Sequence, residues 1–188
     1  ITGMLNEKID IPVGYIPAGT TNDFATSLNL SPVHKIAAQR ITMGDPYKLD
    51  VGRFQDKYFS YIASFGAFTS ASYNANQKAK NTLGHTAYIL EGIKDISSLK
   101  PYHIKAETDD KVIEGDFIFG AVCNSKSIAG IIKLNDRLVD LSDGKFELVL
   151  LRMPKQIIEL PKMLVSLQNG DKSDKNLVFM HTNKVKIT

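Results

Sequence analysis

A glycine turn between an apolar run and an amphipathic segment constrains the start of this chain more than any other feature. Residues 11–16 read Ile-Pro-Val-Gly-Tyr-Ile, as a short buried strand would, and residues 17–25 read Pro-Ala-Gly-Thr-Thr-Asn-Asp-Phe-Ala. Gly19 permits a sharp turn, and Thr20 or Thr21 is suited to cap the helix that follows. The free amide groups at such a helix start attract anions, so the segment is a candidate phosphate-binding turn.

The same residues are also consistent with an ordinary capped helix. The spacing of Thr20 and Asp23 resembles a capping box, with Asp in the position that Glu usually takes. On local chemistry alone this plainer interpretation is favoured.

Four segments, in order along the chain, resemble the diacylglycerol kinase catalytic family. They are residues 17–25, residues 47–52 (Tyr-Lys-Leu-Asp-Val-Gly), residues 58–67 (Tyr-Phe-Ser-Tyr-Ile-Ala-Ser-Phe-Gly-Ala) and residues 141–148 (Leu-Ser-Asp-Gly-Lys-Phe-Glu-Leu). Members of that family, which include bacterial lipid kinases and the sphingosine kinases, transfer the γ-phosphate of ATP to a lipid hydroxyl. The resemblance implies an ATP-dependent lipid kinase, with conversion of diacylglycerol to phosphatidic acid as the expected reaction.

The resemblance also implies which residues bind the nucleotide. The expected set is Gly19, Thr20, Thr21, Asn22 and Asp23. In that scheme Thr20 contacts the phosphate or ribose of ATP, while Asn22 and Asp23 shape the cleft between two domains. Phosphoryl transfer of this kind depends mainly on positioning and on neutralisation of charge.

A second implied site is a magnesium loop. Residues 140–145 resemble the family's structural magnesium loop, in which Asp143 supplies its side chain and Asp140 and Lys145 supply backbone carbonyls. Oxygen ligands of this type suit Mg²⁺, although an ordinary acidic turn has the same composition. Lys78 and Lys80 lie where the family has a lysine that helps to meet the lipid or membrane surface.

Two motifs of the family are absent from these residues. The leading Gly-Gly-Asp-Gly-Thr motif, which wraps the nucleotide phosphates, does not occur, and the Asp-Gly-Glu motif that carries the general base is expected beyond Thr188. We therefore expect a central and C-terminal fragment of a longer enzyme. No catalytic residue is expected within the chain, and the isolated chain is predicted to be inactive.

Composition is that of an ordinary globular protein. The chain has 188 residues, of which 43% are hydrophobic and 23% charged, with a formal net charge of +3. The single Cys123 excludes an intrachain disulfide and is consistent with a reducing compartment. No apolar run approaches the roughly 20 residues that a membrane helix needs. We expect a cytoplasmic protein that meets a membrane lipid substrate peripherally, at the inner face of the cell membrane, and that binds no nucleic acid.

The pattern of elements divides the chain near residue 45. Residues 1–45 are expected to be the C-terminal part of an ATP-binding α/β domain, and residues 46–188 a β-rich, sandwich-like α+β second domain, truncated at its C-terminal end, in an NAD kinase/diacylglycerol kinase-like fold. The second part is predicted to contain hairpins at 48–64 and 102–124, helices at 83–96 and 157–167, and strands at 177–180 and 185–187. Exposed strand edges make a homodimer possible.

Two other interpretations stay open. NAD kinases share the glycine–aspartate phosphate motif and a two-domain plan, so an NAD kinase-like enzyme is the alternative within enzymes. A non-catalytic β-rich module that recognises a partner is the alternative outside them.

Overall fold

The computed structural model describes residues 1–19, 21–67, 69, 99–128, 132–156, 158–171 and 173–188. In chain order the helices are α1 (Thr2–Asn6), α2 (Asp23–Ser27), α3 (His34–Met43), a 3-10 turn (Asp136–Leu138) and α4 (Glu159–Asn169). The strands are β1 (Gly52–Phe54), β2 (Lys57–Phe59), β3 (Ile62–Gly66), β4 (Tyr102–Thr108), β5 (Val112–Cys123), β6 (Ser127–Ile128), β7 (Ile132–Lys133), β8 (Phe146–Arg152), β9 (Leu177–Thr182) and β10 (Val185–Ile187). The predicted helix at 83–96 lies outside these residues.

One antiparallel sheet of six strands organises the described structure. Its order is β10-β4-β5-β8-β9, and β3 also pairs with β5. One edge of β5 is divided between two partners, since β4 pairs with its first half and β3 with its second, from Cys123 to Phe119. The other edge pairs with β8. The small sheets β1-β2 and β6-β7 complete the strands, so the prediction of a β-rich domain is confirmed.

The second half of β5 is buried on both faces. Residues 117–121 form a continuous buried run, and the residues of β8 that pair with Phe119, Gly120 and Ala121 are buried as well. The apolar residues of the sheet therefore divide into two clusters. The larger contains Ile118, Val149 and Leu151 and is covered by α4, while the smaller contains Phe117, Leu148 and Leu150.

Helix α4 follows its sequence pattern closely. Leu160, Met163, Leu164 and Leu167 recur at helical spacing, and all four are buried against the larger cluster. The helix ends at Gly170, which adopts the left-handed conformation (φ 66°) that glycine accepts without steric cost. The predicted helix in this region is confirmed.

The connection between β9 and β10 requires the sheet to curl. Only Asn183 and Lys184 separate the two strands, so Thr182 and Val185 lie at most about 11 Å apart. In a flat sheet of this order the two strands would be four inter-strand spacings apart, about 19 Å. The six strands therefore form a strongly curled surface rather than a flat layer.

Residues 11–16 do not form the predicted strand. No strand among the described residues pairs with them, and Ile11 and Val13 expose 62% and 60% of their surface. A strand is defined by its partner, so an apolar run without one has no ladder of hydrogen bonds to join. The apolar pattern alone could not reveal this.

Candidate functional site

The turn at Gly19 is stabilised by the residue that begins the next helix. Asn22 adopts the left-handed conformation (φ 53°), and its Oδ1 accepts a hydrogen bond of 2.8 Å from the Gly19 amide. Helix α2 starts immediately after it. The predicted capping residue was Thr20 or Thr21, but the residue at the N-cap position is Asn22. Asparagine tolerates the left-handed region far better than the β-branched threonine does. Thr20 lies outside the described residues, and Thr21 is exposed.

Asp23 lies at the centre of a buried polar group that connects α2 to the end of β5. Its carboxylate accepts hydrogen bonds from Ser127 Oγ at 2.5 Å and from Tyr61 Oη at 2.8 Å. One turn further along α2, Ser27 Oγ lies 2.8 Å from Ser125 Oγ and accepts a bond of 3.0 Å from the Lys126 amide. We call Asp23, Ser27, Tyr61, Ser125 and Ser127 the Asp23 network.

The predicted metal loop forms two consecutive tight turns. Asp140 Oδ1 accepts a bond of 3.0 Å from the Ser142 amide, and Asp143 Oδ1 accepts one of 2.9 Å from the Lys145 amide. The loop is therefore shaped by its own carboxylates. Both aspartates and Lys145 are exposed.

Two residues that the sequence analysis did not select connect this loop to the rest of the site. Asp50 Oδ2 accepts a bond of 2.7 Å from the Gly144 amide. Asn124, which follows β5 directly, donates 3.0 Å bonds from Nδ2 to the carbonyls of Asp50 and Leu141. The loop is thereby fixed at the same end of β5 that holds the Asp23 network. The segment 47–52 gave a signal for Asp50, but nothing marked Asn124.

Glu147 is a buried acid beside the loop. It exposes only 1% of its surface, and burial raises the pKa of its carboxyl to about 8. Hydrogen bonds from its own amide and from that of Ser125 oppose the shift, while the charges of Asp143 and Asp140 add to it. The neutral form of Glu147 is therefore favoured at pH 7. His181 Nε2, which lies 2.7 Å from the Leu138 carbonyl, is 4.0 Å from Glu147 Oε1.

The loop has the donor chemistry of a hard-cation site. In the described part of the chain, no group of three or more His, Cys, Asp or Glu side chains is placed to hold a metal ion. The predicted site needs only one carboxylate with two carbonyls, a set that the exposed Asp143 side chain and the backbone of Asp140 and Lys145 can supply. Carboxylate and carbonyl oxygens are the ligands that Mg²⁺ takes, so these residues fit the ion in charge and in ligand type.

Asp23 is hydrogen-bonded to Ser127, and the Leu141 carbonyl accepts a bond from Asn124, so α2 and the 140–145 loop both attach to the segment of chain that follows β5. Gly19 is bonded to Asn22, which precedes α2, while Asp140, Asp143 and Lys145 lie in the loop. Lys78 and Lys80 lie outside the described residues. None of the described helices has the length and apolar character to cross a membrane.

The sequence is similar to proteins named as diacylglycerol kinases and lipid kinases. Residues 1–54 match the family described as the diacylglycerol kinase catalytic domain. The chain is 32% identical over 177 residues to a diacylglycerol kinase of Bacillus subtilis, a match that covers 93% of this chain and 58% of that protein. It is 32% identical over 165 residues to a probable lipid kinase YegS-like protein of Shewanella frigidimarina, covering 87% of this chain and 52% of that protein.

The fold has a solved counterpart. A crystal structure of a candidate diacylglycerol kinase from Bacillus anthracis superposes with a TM-score of 0.74 at 21% identity, over 99% of this chain and 61% of that one. The chain thus spans little more than half the length of the proteins that it matches.

Proposed function

Since the chain belongs with the diacylglycerol kinases in sequence and in fold, we propose that it contributes to an ATP-dependent lipid kinase whose substrate is diacylglycerol and whose product is phosphatidic acid. The observation that carries the proposal is the convergence of the Gly19–Asn22 turn and the 140–145 loop on one end of β5. Phosphoryl transfer depends mainly on positioning, and in this proposal the turn positions the nucleotide while the loop, with a structural Mg²⁺, supports the fold around it.

In this proposal the two groups have separate tasks. Thr20 and its neighbours contact the phosphates or ribose of ATP, and Asn22 and Asp23 hold that turn against the second part of the chain. Mg²⁺ at the Asp143 loop stabilises the fold around the site. The lipid hydroxyl reaches the site from a membrane surface, where Lys78 and Lys80 contact lipid headgroups.

Phosphorylation of lipid by the complete gene product tests the proposal. With diacylglycerol in mixed micelles and labelled ATP, we expect labelled phosphatidic acid to form and Thr20→Ala to lower kcat/KM for ATP by about tenfold or more. Thr42→Ala, which changes an exposed threonine of α3, is the matched control and should retain activity. Absence of lipid phosphorylation by the wild type, or transfer to NAD instead, would overturn the proposal.

Thermal unfolding with and without Mg²⁺ tests the metal loop separately. A ligand that binds only the folded state raises the apparent stability, so millimolar Mg²⁺ should raise the Tm of the wild type and not that of Asp143→Ala. Asp109→Ala removes an exposed aspartate from the turn between β4 and β5 and should behave as wild type. Equal shifts in both variants would place the ion elsewhere.

A further inference from the structure

We propose that the Asp23 network is a positioning device that fixes the Gly19–Asn22 turn for nucleotide binding, with Ser127 as its principal residue. This inference rests on the proposed function, because the property that it controls is affinity for ATP. Ser127 belongs to β6 and is distant in sequence from the turn.

The side chain of Asp23 is buried. Asp23 exposes only 9% of its surface, and hydrogen bonds to a charged group are stronger than those between neutral groups. Its two hydroxyl donors, Ser127 and Tyr61, both come from the β-rich part of the chain. The position of Asp23 is therefore set by residues outside its own helix.

The backbone and side chain of Asn22 connect Asp23 to the turn. Asn22 precedes Asp23 directly, and its side chain closes the turn by accepting the bond from the Gly19 amide. The Asn22 carbonyl accepts bonds from the amide and the hydroxyl of Thr26. A shift of Asp23 must therefore move Asn22 and open or tilt the turn.

Helix α2 has a second attachment to the same segment of chain, in addition to the hydrogen bonds of Asp23. The bonds of Ser27 to Ser125 and Lys126 hold the far end of α2 to the same segment of chain. Loss of the Ser127 hydroxyl should therefore leave α2 attached while its first residue moves. This arrangement predicts a change in nucleotide affinity without general unfolding.

The experiment measures kinetics on the complete gene product with the variants Ser127→Ala, Ser127→Thr and Tyr61→Phe. We expect Ser127→Ala to raise KM for ATP by roughly tenfold, the scale of one hydrogen bond to a charged group, with kcat changed less than twofold. Ser127→Thr keeps the hydroxyl and should restore most of the affinity. Tyr61→Phe should act in the same direction. Ser173→Ala, an exposed serine before β9, is the matched control.

A readout that needs no activity separates this proposal from the function on which it rests. Amide hydrogen exchange in peptides covering residues 17–24 should accelerate in Ser127→Ala and not in Ser173→Ala. If the wild type lacks kinase activity but exchange responds, the proposed function is wrong and the network still positions the turn. An unchanged KM for ATP in an active enzyme, an unchanged exchange rate, or a KM that Ser127→Thr does not restore would overturn the inference.

Discussion

At the scale of single residues, the chemistry of this site depends on acids in very different surroundings. Asp140 and Asp143 are exposed, whereas Glu147, in the same stretch of chain, is enclosed by the sheet. Among the described residues, its Oε2 and Asn124 Oδ1 are the buried side-chain oxygens without a hydrogen-bond partner in the protein. Burial of a charge without a partner is costly, so the neutral form of Glu147 is favoured.

The raised pKa of Glu147 predicts a specific pH dependence of stability. Its pKa is about 8 in the folded protein and near 4.5 in the unfolded chain, so between these values the folded state holds one more proton. The contribution of Glu147 to the free energy of unfolding is therefore most favourable below about pH 4.5. That contribution decreases as the pH rises and is lost once the pH has passed through 8. Glu147→Gln cannot ionise and should become more stable than the wild type by a few kcal/mol between pH 5.5 and 8.5.

Denaturant unfolding at several pH values, with a chelator present, measures that difference. Glu7→Gln, at the exposed end of α1, is the control and should show no such trend. Parallel stability curves for the wild type and Glu147→Gln would show that the acid is ionised in the folded protein.

The sequence located the turn because its signal was local, and the structure joins Gly19 and Asn22 by a hydrogen bond. The capping residue is Asn22 instead of Thr20 or Thr21, and nucleotide binding by these residues stays a prediction. Asn124 was not assigned to the site, because its importance arises from burial, which depends on strands that are distant in sequence.

At the scale of elements, α4 and the hairpin of β4 and β5 show what local periodicity can predict. Helix α4 has its buried residues at helical spacing and ends at a glycine, and β4 buries the alternate residues Ile104 and Ala106 before the turn to β5. Residues 9–18 carry an equally strong apolar pattern but lack a partner strand in the described structure. Pairing between distant segments is the part of the fold that periodicity cannot supply.

The two faces of α4 predict opposite responses to truncation. Leu167 is fully buried, and Leu167→Ala should lower the free energy of unfolding by about 2–5 kcal/mol, because it removes apolar contacts and leaves a cavity. Val165, which exposes 53% of its surface on the same helix, is the matched control. Val165→Ala should change the free energy of unfolding by less than about 0.5 kcal/mol. Equal effects in chemical denaturation would contradict the packing of this helix on the sheet.

At the scale of the whole molecule, the apolar core is distributed very unevenly. In the described part of residues 1–47, the buried apolar residues assigned to the core are Ala25 and Ala37, whereas β5, β8 and α4 supply most of the two clusters. Many large apolar side chains of the first region are exposed, among them Ile11, Val13 and Met43. The two regions therefore differ in how much packing stabilises them.

This distribution predicts a gradient of local stability. Amide hydrogen exchange of the purified chain should be slowest in β5 and β8 and faster by orders of magnitude in α1 and α3, because local opening is easiest where few apolar contacts break. Mass spectrometry of peptides from the two regions measures the gradient. Protection of α3 equal to that of β5 would contradict it.

The division of one edge of β5 between β3 and β4 has a consequence for synthesis of the chain. The β4–β5 hairpin is local, but Ile62 in β3 must wait for Cys123 before it can pair. Ribosomes add roughly 5–20 residues per second, so β3 leaves the ribosome on the order of several seconds before its partner exists. During that interval β3 is an unpaired apolar segment. A chaperone that holds nascent chains can bind β3 at this stage.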